Sequence, residues 1–367
     1  MKKNTQSIIL LFCILWILFF AVTHPIWQEK PTLQKLQSQF TGEFPQKNIF
    51  LEWNALFHRI LGMREMHGVA MVGQNAYIQE ENIEDMPHKL EVLQTLQAES
   101  KEFQLIILPT LLSGNAEAIA PYQYTTPYAQ LTQLMQEAKA LGMQVLDLST
   151  FKKELPPTER FFKSDHHWLP AFALQTALPI AEHIAATLHI PLQKEHFAPS
   201  AYHVQNYPKI FLGTAGKRTG RLFTGLDDFK LLSPKFETKF TVESPFAKTT
   251  QTGTFEEVFI KPNYLEYDYY ELSPYKAYFG DVIKNVKITN HLANNNKKVL
   301  YIIDSYSLPL MAFLANVAQE SYVYDFRYSN ANIAEEIKRI QPDLVVTQFS
   351  HFAFAFDFKD YFGVNHE

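Results

Sequence analysis

Apolar positions fall along the chain in short bursts, some spaced for strands and some for helices. Residues 68–78 alternate around Val69, Met71 and Tyr77, which predicts a short strand or hairpin. A polar, helix-prone stretch over 89–102 leads to the apolar run 105–108, which Pro109 stops as it would a buried strand. Helical spacing over 128–141 ends at Gly142, and 143–148 reads as the next strand. The rhythm returns near the C-terminus with strand 299–303, helix 308–317, strand 322–326, helix 333–340 and strand 344–349. Such β-α-β order predicts an α/β fold, a parallel sheet with helices on both faces and sites at the carboxyl ends of its strands.

Residues 195–290 break the rhythm. They are rich in Tyr, Phe, Thr, Pro and Gly, with strand-like alternation over 236–242 and 254–260, and read as a β-rich insertion covering the sheet or its cleft. At 367 residues the chain suits two domains, or one large domain carrying an insertion. The expected division is an anchor over 1–27, a stalk and entry helix over 28–65, a first α/β segment over 66–194, the insertion over 195–290 and a second α/β segment over 291–367.

The first residues follow a different rule. Lys2 and Lys3 precede the unbroken apolar run 8–22, a basic n-region followed by an h-region. That run is shorter than the about 20 residues a span needs, but 23–27 can extend it into the interface. The residues after it, Ala21, Val22, Thr23, His24 and Pro25, lack a small-x-small cleavage site. The reading is an uncleaved signal-anchor, a single N-terminal transmembrane helix in the cell membrane with the body outside the cytoplasm. The only cysteine, Cys13, lies in the apolar run after the bulky Phe12, which excludes an intramolecular disulfide, a Cys-based zinc site and a lipoprotein signal.

Composition narrows the body. With 47% hydrophobic and 19% charged residues it is globular, not disordered. Lys plus Arg number 33 against 38 Asp plus Glu, a net charge of −5, which gives no electrostatic reason to expect nucleic acid. The 30 Phe and 18 Tyr read as a Phe-rich core, although exposed Tyr and Trp also stack on sugar rings.

The densest polar cluster is Ser164, Asp165, His166, His167 and Trp168, on the loop entering a helix at Pro170. In extended backbone Asp165 and His167 point the same way while His166 faces elsewhere. A carboxylate beside a neutral imidazole fixes its tautomer, which makes a general base awaiting a nucleophile. The bland alternative is that Asp165 caps the helix and the histidines are polar loop residues. A metal site on Asp165, His166 and His167 lacks a second ligand pair at suitable spacing.

The strand 299–303 runs into Asp304, Ser305, Tyr306 and Ser307 and then a helix. A serine at such a turn stands at the carboxyl edge of the sheet, beside the free backbone N–H groups of the helix start. That location favours Ser305. Ser307 is placed as a helix cap, His351 is a competing base, and Arg327 either holds an anionic or carbonyl group or pairs with Asp325. The 213–218 stretch superficially resembles a phosphate loop, but its glycines are three apart, not five, so it reads as a turn. Its neighbours Lys217, Arg218 and Arg221 suit a solvated loop better than an anionic polymer.

The string Asp165-His166-His167-Trp168, followed by Asp304-Ser305-Tyr306 and by Asp325-Phe326-Arg327-Tyr328, resembles the DHHW protein family of the SGNH-hydrolase superfamily and is similar to the alginate O-acetyltransferases. The resemblance covers about residues 45–355 and implies a three-layer α/β/α, flavodoxin-like fold. It implies Asp165 as orienter, His167 as base and Ser305 as nucleophile; in the acyl transfer this allows, the backbone N–H groups around Ser305 and Tyr306 are expected to hold the oxyanion, with Arg327 beside the substrate. Ile303 departs from the glycine that often precedes Asp-Ser in such enzymes. The family further implies O-acetyl transfer to a cell-wall polymer or exopolysaccharide, no cofactor, and a membrane-bound O-acyltransferase partner that hands the acyl group across the membrane. An extracellular carbohydrate esterase and a catalytically silent glycan-binding or assembly subunit are the rivals.

Overall fold

The structure, a computed structural model, describes residues 47–79, 81–113, 119–122, 126–280, 283–329, 331–358 and 362. The expected transmembrane segment 1–27 and the stalk as far as residue 46 lie outside the described residues. Among the described residues no helix is long and apolar enough to cross a membrane.

Helix α1 (Lys47–Ile60) leads into a three-stranded antiparallel sheet of β1 (Glu65–Met66), β2 (Val69–Val72) and β3 (Asn75–Ile78), which contains the predicted hairpin. Then come α2 (Met86–Glu99), β4 (Phe103–Ile107), α3 (Thr126–Ala140), β5 (Gln144–Asp147) and the long helix α4 (Pro170–Leu188). A two-stranded ribbon of β6 (Tyr202–Phe211) and β7 (Asp227–Pro234) holds the short helix α5 (Thr214–Thr219) in its connection. After it follow β8 (Phe240–Ser244), β9 (Thr249–Gly253), β10 (Val286–Asn290), β11 (Lys298–Ile303), α6 (Ser307–Leu314), β12 (Glu320–Asp325), α7 (Ile333–Ile340) and β13 (Leu344–Phe349).

Eight strands form one sheet in the order β5-β4-β13-β11-β12-β10-β8-β9. The first five are mutually parallel, but β10, β8 and β9 continue antiparallel, so the sheet is mixed and not parallel throughout. Numbered from β11 through β12 and β13 and then β4 and β5, the parallel strands lie in the order 2-1-3-4-5, which is flavodoxin-like. The chain enters this order at its fourth strand. The strand carrying Ser305 therefore follows the segment carrying His167, and its tip lies at the switch point between β11 and β13.

Period-two alternation builds the layers. Along β11, Val299, Tyr301 and Ile303 join the core beneath α4 and α6, while Leu300 and Ile302 join the opposite core with Leu93 of α2, Leu134 of α3 and Ile337 of α7. The expected cover over the sheet or its cleft holds only in part: β8, β9 and β10 lengthen the sheet's edge, while other residues of the insertion, Lys217 and Tyr275 among them, wall the cavity. Residues 254–260, read as a strand, contain a helix at Phe255–Phe259. Thr254 and Glu257 close a capping box there, and this local signal overrides the alternation.

Candidate active site

The Asp165 loop is closed at its base by an isolated bridge between Phe161 and Trp168. It is then pinned from the insertion. Both oxygens of Asp227, at the start of β7, accept from the loop: Lys163 N–H at 3.0 Å, Ser164 N–H at 2.8 Å and the Ser164 hydroxyl at 2.6 Å. The Ser164 hydroxyl in turn accepts the Gly213 N–H at 2.9 Å, and the Gly216 N–H reaches Ser164 O at 2.9 Å. The Thr214 N–H, at the start of α5, donates to Asp165 Oδ2. A Cβ on Gly213 would stand 2.1 Å from Asp165 Cβ, so only glycine allows this approach. The stretch read as a plain turn is thus the cradle of the carboxylate.

Asp165 Oδ1 lies 2.5 Å from His167 Nδ1, and His167 Nε2 lies 2.9 Å from Ser305 Oγ. Two segments 138 positions apart meet as one hydrogen-bonded chain. The Tyr275 ring stacks on His167 at 4.3 Å between centroids, and the His166 ring lies 4.0 Å away. His166 does not face elsewhere as expected. It lines the same cavity, because the tight loop departs from the extended geometry that would separate neighbours.

At the Ser305 turn, buried Asp304 accepts the Tyr306 N–H at 3.0 Å and, from the end of β13, the Ser350 N–H at 2.8 Å and hydroxyl at 2.5 Å. The Tyr306 N–H expected for an oxyanion is therefore already engaged, and its hydroxyl donates to His166 O at 2.7 Å. Ser307 is turned away, fully buried, its oxygen accepting from Gln348 Nε2 at 2.7 Å. His351 is buried and absent from the cavity wall. Arg327 holds Asp325 through Nε at 2.9 Å and Nη2 at 2.6 Å, yet also lines the cavity, so both of its expected uses are compatible.

The cavity has a volume of about 380 Å³ and is walled by Asp165, His167, Ser305, Tyr275, Lys217 and Arg327 among others. Burial alone would push the Asp165 carboxyl up. The charges of His166 and His167 and the hydrogen bonds from His167 and Thr214 outweigh it and hold Asp165 far below the usual carboxylate range. Burial, with His167 beside it, pushes His166 down to about 3, which keeps that ring neutral in ordinary buffers. Asp165, His166 and His167 each offer a ligand atom within 4.8 Å of the others. A metal there would compete with the triad, since His167 already spends Nδ1 on Asp165 and Nε2 on Ser305.

Ser164, Gly213, Thr214, Asp227 and Asp304 had not been assigned roles from sequence. Only the close glycine pair in 213–216 stands out in the sequence, and its spacing reads as a turn, not a phosphate loop.

Residues 74–238 match the family described as the SGNH hydrolase-like domain of acetyltransferase AlgX. The match covers under half of the chain. The match contains Asp165 and His167 and ends before Ser305, which the fold alone brings to the site. PatB1 of Bacillus cereus has the same fold, with a TM-score of 0.64 at 19% identity over 80% of this chain and 99% of that chain. The same protein with a sulfonyl adduct gives 0.64 at 16% identity over 81% and 98%. A DHHW family protein from Eubacterium siraeum gives 0.58 at 17% identity over 82% and 96%. At such identities these likenesses speak for the fold. No curated protein matches the sequence. The resemblance drawn from residues 165–168 and 304–306 agrees with both findings: the family match spans Asp165 and His167, and a DHHW family protein shares the fold.

Proposed function

We propose that the chain is a membrane-anchored Ser-His-Asp O-acetyltransferase, held by the apolar run 8–22 with its body outside the cytoplasm, that modifies a cell-wall polymer or exopolysaccharide. The observation carrying this reading is the unbroken chain from Asp165 through His167 to Ser305 at the mouth of an open cavity. His167 Nε2 takes the Ser305 proton as Oγ attacks the acetyl carbonyl, while ionised Asp165 holds Nδ1–H and balances the imidazolium. The Ser305 N–H and the donors of Arg327 not spent on Asp325 are then to hold the tetrahedral oxyanion. The donor's leaving group departs with the proton from His167. In the second half a sugar hydroxyl gives its proton to His167 and attacks the acyl-serine, and Ser305 Oγ leaves and recovers that proton. The SGNH match to an acetyltransferase domain and the exposed Tyr328 ring on the cavity wall support transfer to a saccharide. With acyl-CoA confined to the cytoplasm, the acetyl group would come from a membrane-bound O-acyltransferase partner.

The test is turnover of a chromogenic acetyl ester by the full chain and by Ser305→Ala and His167→Ala. Each variant is expected to lose about 10³-fold or more. Full turnover in both would exclude the triad. A sulfonyl fluoride should label Ser305 and not the Ser305→Ala chain, in line with the sulfonyl adduct of PatB1. Incubation with acetyl donor and oligosaccharide then separates a transferase, which adds an acetyl mass to the sugar, from an esterase.

A further inference from the structure

Helix α1 turns its apolar face outward. Ile49, Phe50, Trp53, Phe57 and Ile60 are 41–71% exposed, and at 100° per residue they fall within about 100° of one another. Leu61 at 70% and Met63 at 48% prolong the stripe past the helix end. The opposite face is the one that packs. Ala55 is fully buried, and Glu52 accepts the Arg221 and Leu222 N–H groups, both at 2.9 Å. A shallow groove of about 380 Å³ beside the stripe carries Ile49, Trp53, Leu222, Tyr269 and Tyr270. Isolated exposed apolar residues are ordinary on a protein surface, but a continuous stripe of seven with aromatic flanks marks a contact.

We infer that this face of α1 lies in the interface of a lipid bilayer, with Trp53 and Phe57 sunk to the level of the headgroups and first acyl carbons. The inference rests on the proposed anchor. Only residues 23–46 separate the apolar run 8–22 from Lys47. Helix α1 is thus the first described element along the chain after the proposed anchor. Lys47 and Arg64 are exposed near the two ends of the stripe, Glu65 beside Arg64 offsets part of that charge, Arg59 is tied to Leu222 O on the packing face, and the one acid within α1, Glu52, is turned inward. Aromatic rings with a polar edge beside an aliphatic stripe are the usual furniture of such interfaces.

The placement matters for chemistry because α1 packs on the Arg221–Thr224 turn and on α5, and α5 carries the Thr214 N–H that holds Asp165. Helix α1 thus stands between the bilayer and the element that carries the cradle of the catalytic carboxylate. A cleft held at that height receives an acyl group from a membrane-embedded donor without releasing its polymer.

The test uses the full chain in vesicles containing anionic lipid, in a Cys13→Ala background, with an environment-sensitive fluorophore on Phe57→Cys, Trp53→Cys or, as control, Thr250→Cys on the edge strand β9. Only vesicle-bound protein is scored. Spin-labelled lipid is expected to quench the labels at 53 and 57 about threefold more than the label at 250, with blue-shifted emission at both. If bound protein shows labels at 53 and 57 that iodide reaches from water and lipid does not quench, the inference fails while the anchor stands. Labels shielded from both quenchers would also overturn it, in favour of a protein partner or a second copy. A chain that fails to bind vesicles would sink the anchor and this inference together, leaving the triad untouched.

Discussion

Two buried aspartates serve the contact between His167 and Ser305, and they are held in opposite electrostatic states. Asp165 is 2% exposed and far below the usual carboxylate range; Asp304 is also 2% exposed, and burial pushes it up. Equal burial with opposite outcomes means that partners decide. Asp165 faces two imidazoles and the backbone N–H that opens α5. Asp304 receives N–H and hydroxyl donors from Tyr306 and Ser350, and Arg327 offsets only some of its desolvation. The first arrangement supplies a charge to a base; the second ties the tips of β11 and β13 around a nucleophile.

The sharpest way to break this contrast is Asp165→Asn. An amide can keep the fold of the loop but cannot hold the imidazolium, so ester turnover should fall by roughly 10³- to 10⁴-fold with the protein still folded. A drop of tenfold or less would mean that Asp165 is only a structural acceptor. Asp304→Asn should act more mildly. It keeps one acceptor for Tyr306 but turns an NH₂ toward Ser350, shifting the serine without removing any reacting group. A loss of roughly 10- to 100-fold is expected, and sulfonyl fluoride labelling of Ser305 should persist at a reduced rate. If Asp304→Asn proved as damaging as Asp165→Asn, the division between charge and scaffold would be lost.

The same division explains what the chain made legible. Asp165, His167 and Ser305 stand in local settings that physical reasoning can rank: a polar knot before Pro170 and a serine where an apolar strand meets a helix. Asp227 and Gly213 carried no such mark. Their meaning arises only when the β6-β7 ribbon folds back on the loop, and long-range backbone contacts leave no period in a sequence. The parallel core was readable because burial on both faces gives continuous apolar runs such as 299–303. The antiparallel extension was readable only in part: the alternation over 236–242 overlaps β8, but an edge strand such as Thr249–Gly253 is exposed and polar. Residues 254–260 misled for a different reason. Alternation and helical spacing look alike over seven residues, and the Thr254 to Glu257 capping box was the better guide.

Acid titration gives a smaller but signed effect. A carboxyl with a lowered folded pKa contributes stability above the unfolded value, and this is lost as pH falls toward the folded one. Asp165 is of that kind, and Asp304, being raised, is the reverse. Between about pH 3 and 6 the melting temperature of Asp165→Asn should therefore drop further below that of the parent as pH rises, whereas the deficit of Asp304→Asn should shrink. Parallel curves for the two variants would mean that their environments do not differ as described.

The smallest effect belongs to Ser307, two positions from the nucleophile and equally a serine at the helix start. Its hydroxyl is fully buried and accepts from Gln348 Nε2 at 2.7 Å, out of reach of His167. Ser307→Ala should leave ester turnover within about twofold and cost about 1 kcal/mol of stability, because the Gln348 amide loses its acceptor inside the core. Measured beside Ser305→Ala by turnover and by melting temperature, the pair should split cleanly, one losing activity with stability kept and the other the reverse. Should Ser307→Ala abolish turnover while folding normally, the catalytic hydroxyl would have to be sought on α6 itself, and the hydrogen bond from His167 to Ser305 would be incidental.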